Sequence, residues 1–534
     1  MEKMQNKQHI KFLHTFRNSF LQNLVIFLFG LLNVSLILSY FKTPLAGDVT
    51  FNLGSVKQTK FLGDWPISVI TSWDLRGLVN KNLMYFLETF ASNFSPTSIE
   101  NYELFIKTLY FCLILIVLVW TIFLLKKILI QKIDKLLFIF LFFFTIFSSS
   151  NSFVALQADQ SAAILGILLF ALTANNQKKN LVIAGLLTPV TFGFKGITFL
   201  VGISSLFAGL ALAAKKGDKN VKQLVISCAS GILIYFFSIF FFARSELVDL
   251  ANSTLYQQTF YYSFLGRLKI SAGSILFQWP HVPIVILGLL FFAFLLVSST
   301  KKLLRNKNEE NLTPIKFYFI SLFFAILPII IQAKGFGYHL TALVPFCLSI
   351  VTYILFPVTS SYAAKVWIFF LIICVFLSTP TKTGLWNNYV KFYAYQVETE
   401  NELFKSNQNI RLKFFENFSS RIKQNCEKAI LLLDLSGGYL IPNQSWLRYM
   451  APLPLQRNSQ ALVDSTIRND AIAKTLDFTG QCIVVDPKRF NRDLQPWLNE
   501  VYDKIQKEYY VSYTRIYYAF DELNQLILLR RFDK

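Results

Sequence analysis

The sequence predicts a polytopic α-helical membrane protein of about eleven transmembrane helices with a C-terminal extracytoplasmic α/β domain, and three observations carry that prediction. Hydrophobic residues fill 54% of the 534 positions and charged residues only 16%, with 56 phenylalanines, a balance unlike that of soluble globular chains. Apolar stretches of roughly 18–25 residues, enough to cross a bilayer core as helix, recur through about the first 380 positions. Lysines and arginines gather in alternate connections between those stretches, as they do where cytoplasmic loops are held on one side of a membrane.

The spans run approximately over 20–41, 105–125, 136–150, 160–174, 181–193, 197–214, 223–243, 276–298, 317–333, 339–356 and 366–380. They are helices because backbone groups in lipid must be satisfied within the segment. The first reads as a retained span, since its apolar run is too long for a cleavable leader and no small-residue cleavage site follows. Basic residues mark the N-terminal tail (Lys3, Lys7, Lys11, Arg17) and then every second connection. Those connections carry Lys126, Lys127, Lys132 and Lys135; Lys178 and Lys179; Lys215, Lys216, Lys219 and Lys222; Lys301, Lys302, Arg305 and Lys307; and Lys365. The pattern puts the N-terminus in the cytoplasm of a multi-pass plasma (inner) membrane protein, and an odd span count puts everything after Pro380 outside. The net charge of +21 is then anchorage against anionic lipid, so the bilayer is the expected partner and nucleic acid is not.

Two units follow: 1–380 is the membrane domain and 381–534 a soluble α/β domain. The first exported loop, 42–104, is too long for a simple connection. Leu75, Leu78, Val79, Leu83, Phe86, Leu87 and Phe90 recur there at helical spacing opposite Arg76, Lys81 and Glu88, which predicts an interfacial amphipathic helix with Ser72 as its N-cap. In the C-terminal unit, Ala429–Asp434 and Cys482–Asp486 are short apolar runs that suit buried strands. Tyr509–Tyr518 and Leu526–Arg530 suit a hairpin, and 401–424 and 491–507 supply amphipathic helices. Ser436-Gly437-Gly438 matches neither a P-loop nor G-x-G-x-x-G. Cys112, Cys228, Cys347 and Cys374 fall in apolar spans, whereas Cys426 and Cys482 lie in the exported part, where they are candidates for a disulfide.

Ionisable groups in or beside spans are costly, and they mark either a site or a side chain reaching for headgroups. On the exported side the carboxylates are Asp48, Asp64, Asp74 and Asp159. The cations are Arg76, Lys195, Arg244, Arg267, Lys269 and Lys334, with His339 and Tyr338 in the segment Ile331–Leu340, IQAKGFGYHL. Asp74 equally suits the N-terminal end of its helix, and Lys195, Arg244 and Lys269 equally suit snorkelling. Lys334 and His339 lie in a short break where Gly335 and Gly337 let backbone approach a ligand.

Sugar transfer from a lipid-linked donor would use both groups. An acceptor hydroxyl needs a carboxylate that takes its proton or orients it, for which Asp48, Asp159, Asp64 and Asp74 are the candidates. A departing polyprenyl phosphate needs cations or donors, for which Lys334, His339, Tyr338, Arg76, Lys195 and Arg267 are the candidates. The pattern points to no definite cofactor; a divalent cation, Mg or Mn, is the candidate, with Asp48 and Asp159 as its candidate ligands. The implied partners are a polyprenyl-phosphate-linked sugar donor and a glycan, lipid or protein acceptor.

This layout resembles the GT-C superfamily of polyprenyl-phosphate-sugar-dependent integral membrane glycosyltransferases. The likeness rests on a cytoplasmic N-terminus, a long first exported loop with the early Asp48, Asp159 between the third and fourth spans, the K-G-x-x-Y-H segment at Lys334–His339, and an exported C-terminal domain. The resemblance implies that Asp48 is the catalytic carboxylate and that Asp159 serves metal or acceptor. Asp48 stands alone between Gly47 and Val49 rather than in the family's usual acidic pair, and the W-W-D-x-G signature of oligosaccharyltransferases is absent. A lipid-linked polysaccharide polymerase or ligase and a non-enzymatic transporter or flippase are the alternatives. Transporters, however, place polar groups near the bilayer midplane, whereas here they gather at one face.

Overall fold

The computed structural model describes residues 77–94, 99–147, 156–214, 221–242, 264–277, 283–305, 313–332, 337–355, 429–432, 480–485, 499–519 and 522–532, with scattered positions in 27–53, 417–426 and 469–476. The expected span at 366–380 and the site candidates Asp48, Asp64, Asp74, Arg76 and Lys334 lie outside the described residues, as do Ser72, Leu75 and Arg244.

The described part of the N-terminal region is helical. In chain order it contains α1 (Leu78–Phe94), α2 (Ile99–Leu124), α3 (Lys132–Phe147), α4 (Ala158–Asn175), α5 (Lys178–Leu187), α6 (Phe199–Ala214) and α7 (Val221–Phe242). Then follow α8 (Phe264–Phe277), α9 (Pro283–Arg305), α10 (Thr313–Gln332) and α11 (Val344–Leu355). Among the described residues five helices are long and apolar enough to cross a membrane, and two shorter apolar helices accompany them. This is a helical, membrane-type architecture.

Helices α4 and α6 form its centre. They pack on each other, and α6 also packs on α10, α5 on α7 and α9 on α11. The approach is close because small residues line it: a Cβ added at Gly209 would lie 2.5 Å from Thr173 Cβ and 2.6 Å from the Phe170 carbonyl. Ser204 and Ser321 each donate to the other's carbonyl at 2.8 Å, which stitches α6 to α10. Large apolar side chains point outward instead on α2 (Ile116, Val119, Trp120, Phe123), α7 (Leu233, Phe237, Phe241) and α10 (Phe319, Phe323), a surface that suits acyl chains.

Several sequence expectations need correction. The segment expected as a span over 181–193 stops being α-helical at Leu187 and passes through a 3-10 turn, Thr188–Thr191, because Pro189 offers no amide to the ladder. The run expected as one span over 276–298 belongs to α8 and α9, and the segment carrying Arg267 and Lys269, expected as a loop, is helix α8. The span expected from 339 begins with a 3-10 turn, Gly337–Leu343, and becomes α-helix at Val344.

Helix α1 forms over the segment whose spacing predicts an interfacial amphipathic helix. Phe86 and Phe90 are exposed, whereas Lys81 and Glu88 are buried beside Met84, Leu87 and Ala91. Helix α2 packs on α1, and its Tyr102, Glu103 and Lys107 are buried as well. Lys107 Nζ lies 3.6 Å from Glu103 Oε2 and donates to the Phe41 carbonyl at 3.2 Å, and the Tyr40 hydroxyl donates to the Lys107 carbonyl at 3.1 Å. A helix whose outer medium is apolar gains by turning its charged face to polar neighbours.

Nearer the C-terminus, β1 (Ala429–Leu432), β2 (Cys482–Val485), β3 (Tyr509–Ala519) and β4 (Glu522–Arg531) form a sheet of order β1-β2-β4-β3, with α12 (Asn499–Glu508) leading into β3. β1 and β2 run parallel, while β2–β4 and β3–β4 are antiparallel. The hairpin pairs Ala519 with Glu522, so its second strand starts four residues before the expected Leu526. Tyr509 donates its buried hydroxyl to the Gly480 carbonyl at 2.9 Å, and burial pushes that phenol's pKa up.

Cys426 and Cys482 form a disulfide with a Cα–Cα distance of 5.9 Å, joining the end of a helical stretch to the first residue of β2. It closes a loop of sequence separation 56, which in the chain-entropy account contributes about 4 kcal/mol. Reduction, or Cys426→Ser, is expected to lower the unfolding temperature of the C-terminal sheet, read by limited proteolysis during heating. An unchanged cleavage profile under reductant would contradict that contribution.

Candidate active site

One end of the helix bundle gathers the polar groups. Helix α4 begins there, and its first turn carries Asp159, 5% exposed, where a carboxylate meets the positive end of the helix dipole. The turn into α4 is strained: Leu156 has φ 65, a left-handed conformation that costs a bulky residue about 1–2 kcal/mol. Gln160 holds that turn by accepting from the Leu156 amide at 3.1 Å and donating to the Ile146 carbonyl at 3.0 Å. The Tyr110 hydroxyl, from α2, lies 2.9 Å from Ser161 Oγ and fixes the same turn from the other side.

Lys195 reaches the site from the break between α5 and α6. Residues 188–198 lack a continuous helical ladder, and threonine hydroxyls take up the carbonyls: Thr188 donates to Ala184, Thr191 to Thr188, and Thr198 to both Thr191 and Lys195, at 2.5–2.7 Å. Lys195 itself is extended, at φ −167 and ψ 130. The start of α1 is bonded to the same break. The Gly77 amide donates to the Phe194 carbonyl at 3.1 Å and the Asn80 amide to the Gly193 carbonyl at 3.0 Å. A Cβ on Gly77 would sit 2.4 Å from the Gly193 oxygen, so only glycine permits this contact.

Helix α10 ends at Gln332, and the 3-10 turn after it carries buried His339. Lys195 Nζ donates to Asp159 Oδ2 at 3.2 Å and to Gln332 Oε1 at 2.5 Å. Gln332 Nε2 in turn donates to Asp159 Oδ1 at 3.3 Å. His339 Nδ1 lies 3.9 Å from Asp159 Oδ1, within ion-pair range and beyond a direct hydrogen bond. Lys195 is more open than the two groups it faces, its side chain 19% exposed against 6% for Asp159 and 4% for His339.

Of the candidates named from sequence, the structure brings Asp159, Lys195 and His339 together. Lys195 pairs with Asp159 and Gln332 instead of extending to headgroups. Arg267 sits half-buried on α8, one turn before Ser271, whose hydroxyl donates to the Ile329 carbonyl of α10 at 3.3 Å. Tyr338 lies in the 3-10 turn beside His339. Among the described residues no trio of His, Cys, Asp or Glu is arranged to hold a metal ion. Asp159 has an ammonium and an amide N–H on its oxygens where a divalent cation would need them free, so the residues seen here fit that ion poorly.

Sequence reasoning missed Gln332, Gln160, Tyr110 and Ser161. The signal was present in the segments Ile331–Leu340 and Leu156–Gln160, where neutral amides interrupt apolar runs. Scans against known protein families, curated proteins and solved structures find no match to this chain, so a functional reading rests on the cluster itself.

Proposed function

We propose that this chain is an integral-membrane glycosyltransferase that moves a sugar from a polyprenyl-phosphate-linked donor to an acceptor hydroxyl at the extracytoplasmic face. The observation that carries the reading is the convergence of Asp159, Lys195 and His339 at one end of the bundle. Helix α4 is 18 residues, about 27 Å long, so its other end lies roughly a bilayer core away from Asp159. At that other end lie Lys126, Lys127, Lys132, Lys178 and Lys179, and at the ends of α9 and α10 on the same side lie Lys301, Lys302 and Lys316. The positive-inside rule then makes the lysine-rich end cytoplasmic and the Asp159 end external, in a plasma (inner) membrane protein of about eleven spans with its N-terminus inside.

In this reading Asp159 accepts the proton of the acceptor hydroxyl as its oxygen bonds to the anomeric carbon. The bond from that carbon to the phosphate oxygen breaks, and its electron pair leaves on the polyprenyl phosphate. Lys195 and His339 face the negative charge that develops there. Asp48, Asp64, Asp74, Arg76, Tyr338, Lys334 and Arg267 remain further candidates for the same site.

The test is an assay of the purified protein in nanodiscs with radiolabelled polyprenyl-phosphate sugars and an envelope glycan fraction as acceptor. The expected result is labelled glycan with release of polyprenyl phosphate. Movement of intact donor across the bilayer with no bond broken would replace the reading with a flippase, and turnover only of pyrophosphate-linked oligosaccharide would replace it with a polymerase.

A further inference from the structure

We infer that Gln332 is a positioning residue that sets the Asp159–Lys195 pair, a role that rests on the glycosyltransferase reading for its kinetic part only. Asp159, Lys195 and Gln332 form a closed ring in which each member bonds both others. The chemistry of the ring dictates the residue type. A lysine ammonium only donates and an ionised carboxylate only accepts, so a group that satisfies both at once must carry a donor and an acceptor side by side, as a carboxamide does. Glutamate in its place accepts from Lys195 but has nothing to give Asp159, and leucine does neither.

The ring also orients Asp159. Lys195 holds Oδ2, while Gln332 donates to Oδ1, the oxygen nearest His339. Gln332 is thus the link by which the end of α10 decides how the carboxylate at the start of α4 presents its oxygens to the imidazole. Pro328, one turn earlier, interrupts the α10 ladder and sets that last turn apart from the helix below it.

The experiment uses the full chain in nanodiscs with Gln332→Leu and Gln332→Glu. The first readout needs no activity: the rate at which a succinimidyl acetate reagent acylates Lys195, followed by mass spectrometry against exposed Lys269 on α8 as internal reference. An amine whose hydrogens are held by two oxygens presents its lone pair rarely. Gln332→Leu is therefore expected to speed Lys195 labelling several-fold and Gln332→Glu to slow it, with Lys269 unchanged. The second readout is turnover: both variants should lower kcat on the order of ten- to a hundredfold, as for a hydrogen bond to a charged group, with little change in donor KM.

Lys195 labelling that stays at the wild-type rate in both variants, while only the melting temperature falls, would overturn the inference and leave Gln332 a packing residue. Opposite labelling shifts in a protein that transfers no sugar would support the positioning role and sink the functional reading instead.

Discussion

Replacing Asp159 by asparagine is expected to slow sugar transfer by on the order of a thousandfold while leaving a folded protein. Asparagine has the same shape and still offers an oxygen to Lys195, so the ring is weakened without being emptied. On the proposed reading it removes the group that receives the acceptor proton, and in any reading the charge that balances Lys195. Loss of a partner from a buried ion pair typically costs about 3–5 kcal/mol, and the oxygen kept by asparagine, together with the 19% exposure of Lys195, pulls the expected loss below that range. Comparing turnover with the melting temperature separates the two effects. Full turnover in this variant would move the proton acceptor to Asp48, Asp64 or Asp74, whose asparagine variants belong in the same series.

The second large effect concerns stability. Lys107→Met should destabilise the α1–α2 end of the bundle by about 3–5 kcal/mol, because Glu103 is left buried without this cation and the Phe41 carbonyl loses its donor. Methionine keeps the bulk of the stem, so the loss reports charge and hydrogen bonding more than packing. The double variant Lys107→Met/Glu103→Gln should recover much of it, as both charges then leave together. Denaturation of the two variants side by side decides the point: a single variant as stable as wild type would show that the pair contributes nothing.

Charge was the feature most legible in the sequence. Asp159, Lys195 and His339 stand out because each interrupts an apolar run, and the structure brings them into one cluster. Gln332 and Gln160 bind just as directly but disturb hydropathy little, so a scan for costly residues passes over them. Helix α1 forms where the amphipathic spacing puts it, and what the spacing did not show is its packing, with Glu88 buried while Phe86 and Phe90 are exposed. Apolar length alone also misplaced the helix ends: Pro189 stops α5 within the apolar run, and the charges of α8 hid a helix that packs on α10. The strands near 429 and 482 were easier, because short β-rich runs bounded by turn residues have few other ways to fold.

Lys195 rides on a stretch of backbone that no helix governs, between two glycines and tethered by threonine hydroxyls. A side chain on a helix can be re-aimed only by moving the helix, which here would disturb the tightly interlocked α4–α6 seam. A side chain on this stretch can shift by a few torsions while the scaffold stays put. On the proposed reading, single changes near 193–198 would therefore re-aim Lys195 toward a different headgroup without rebuilding the bundle that keeps the chain folded.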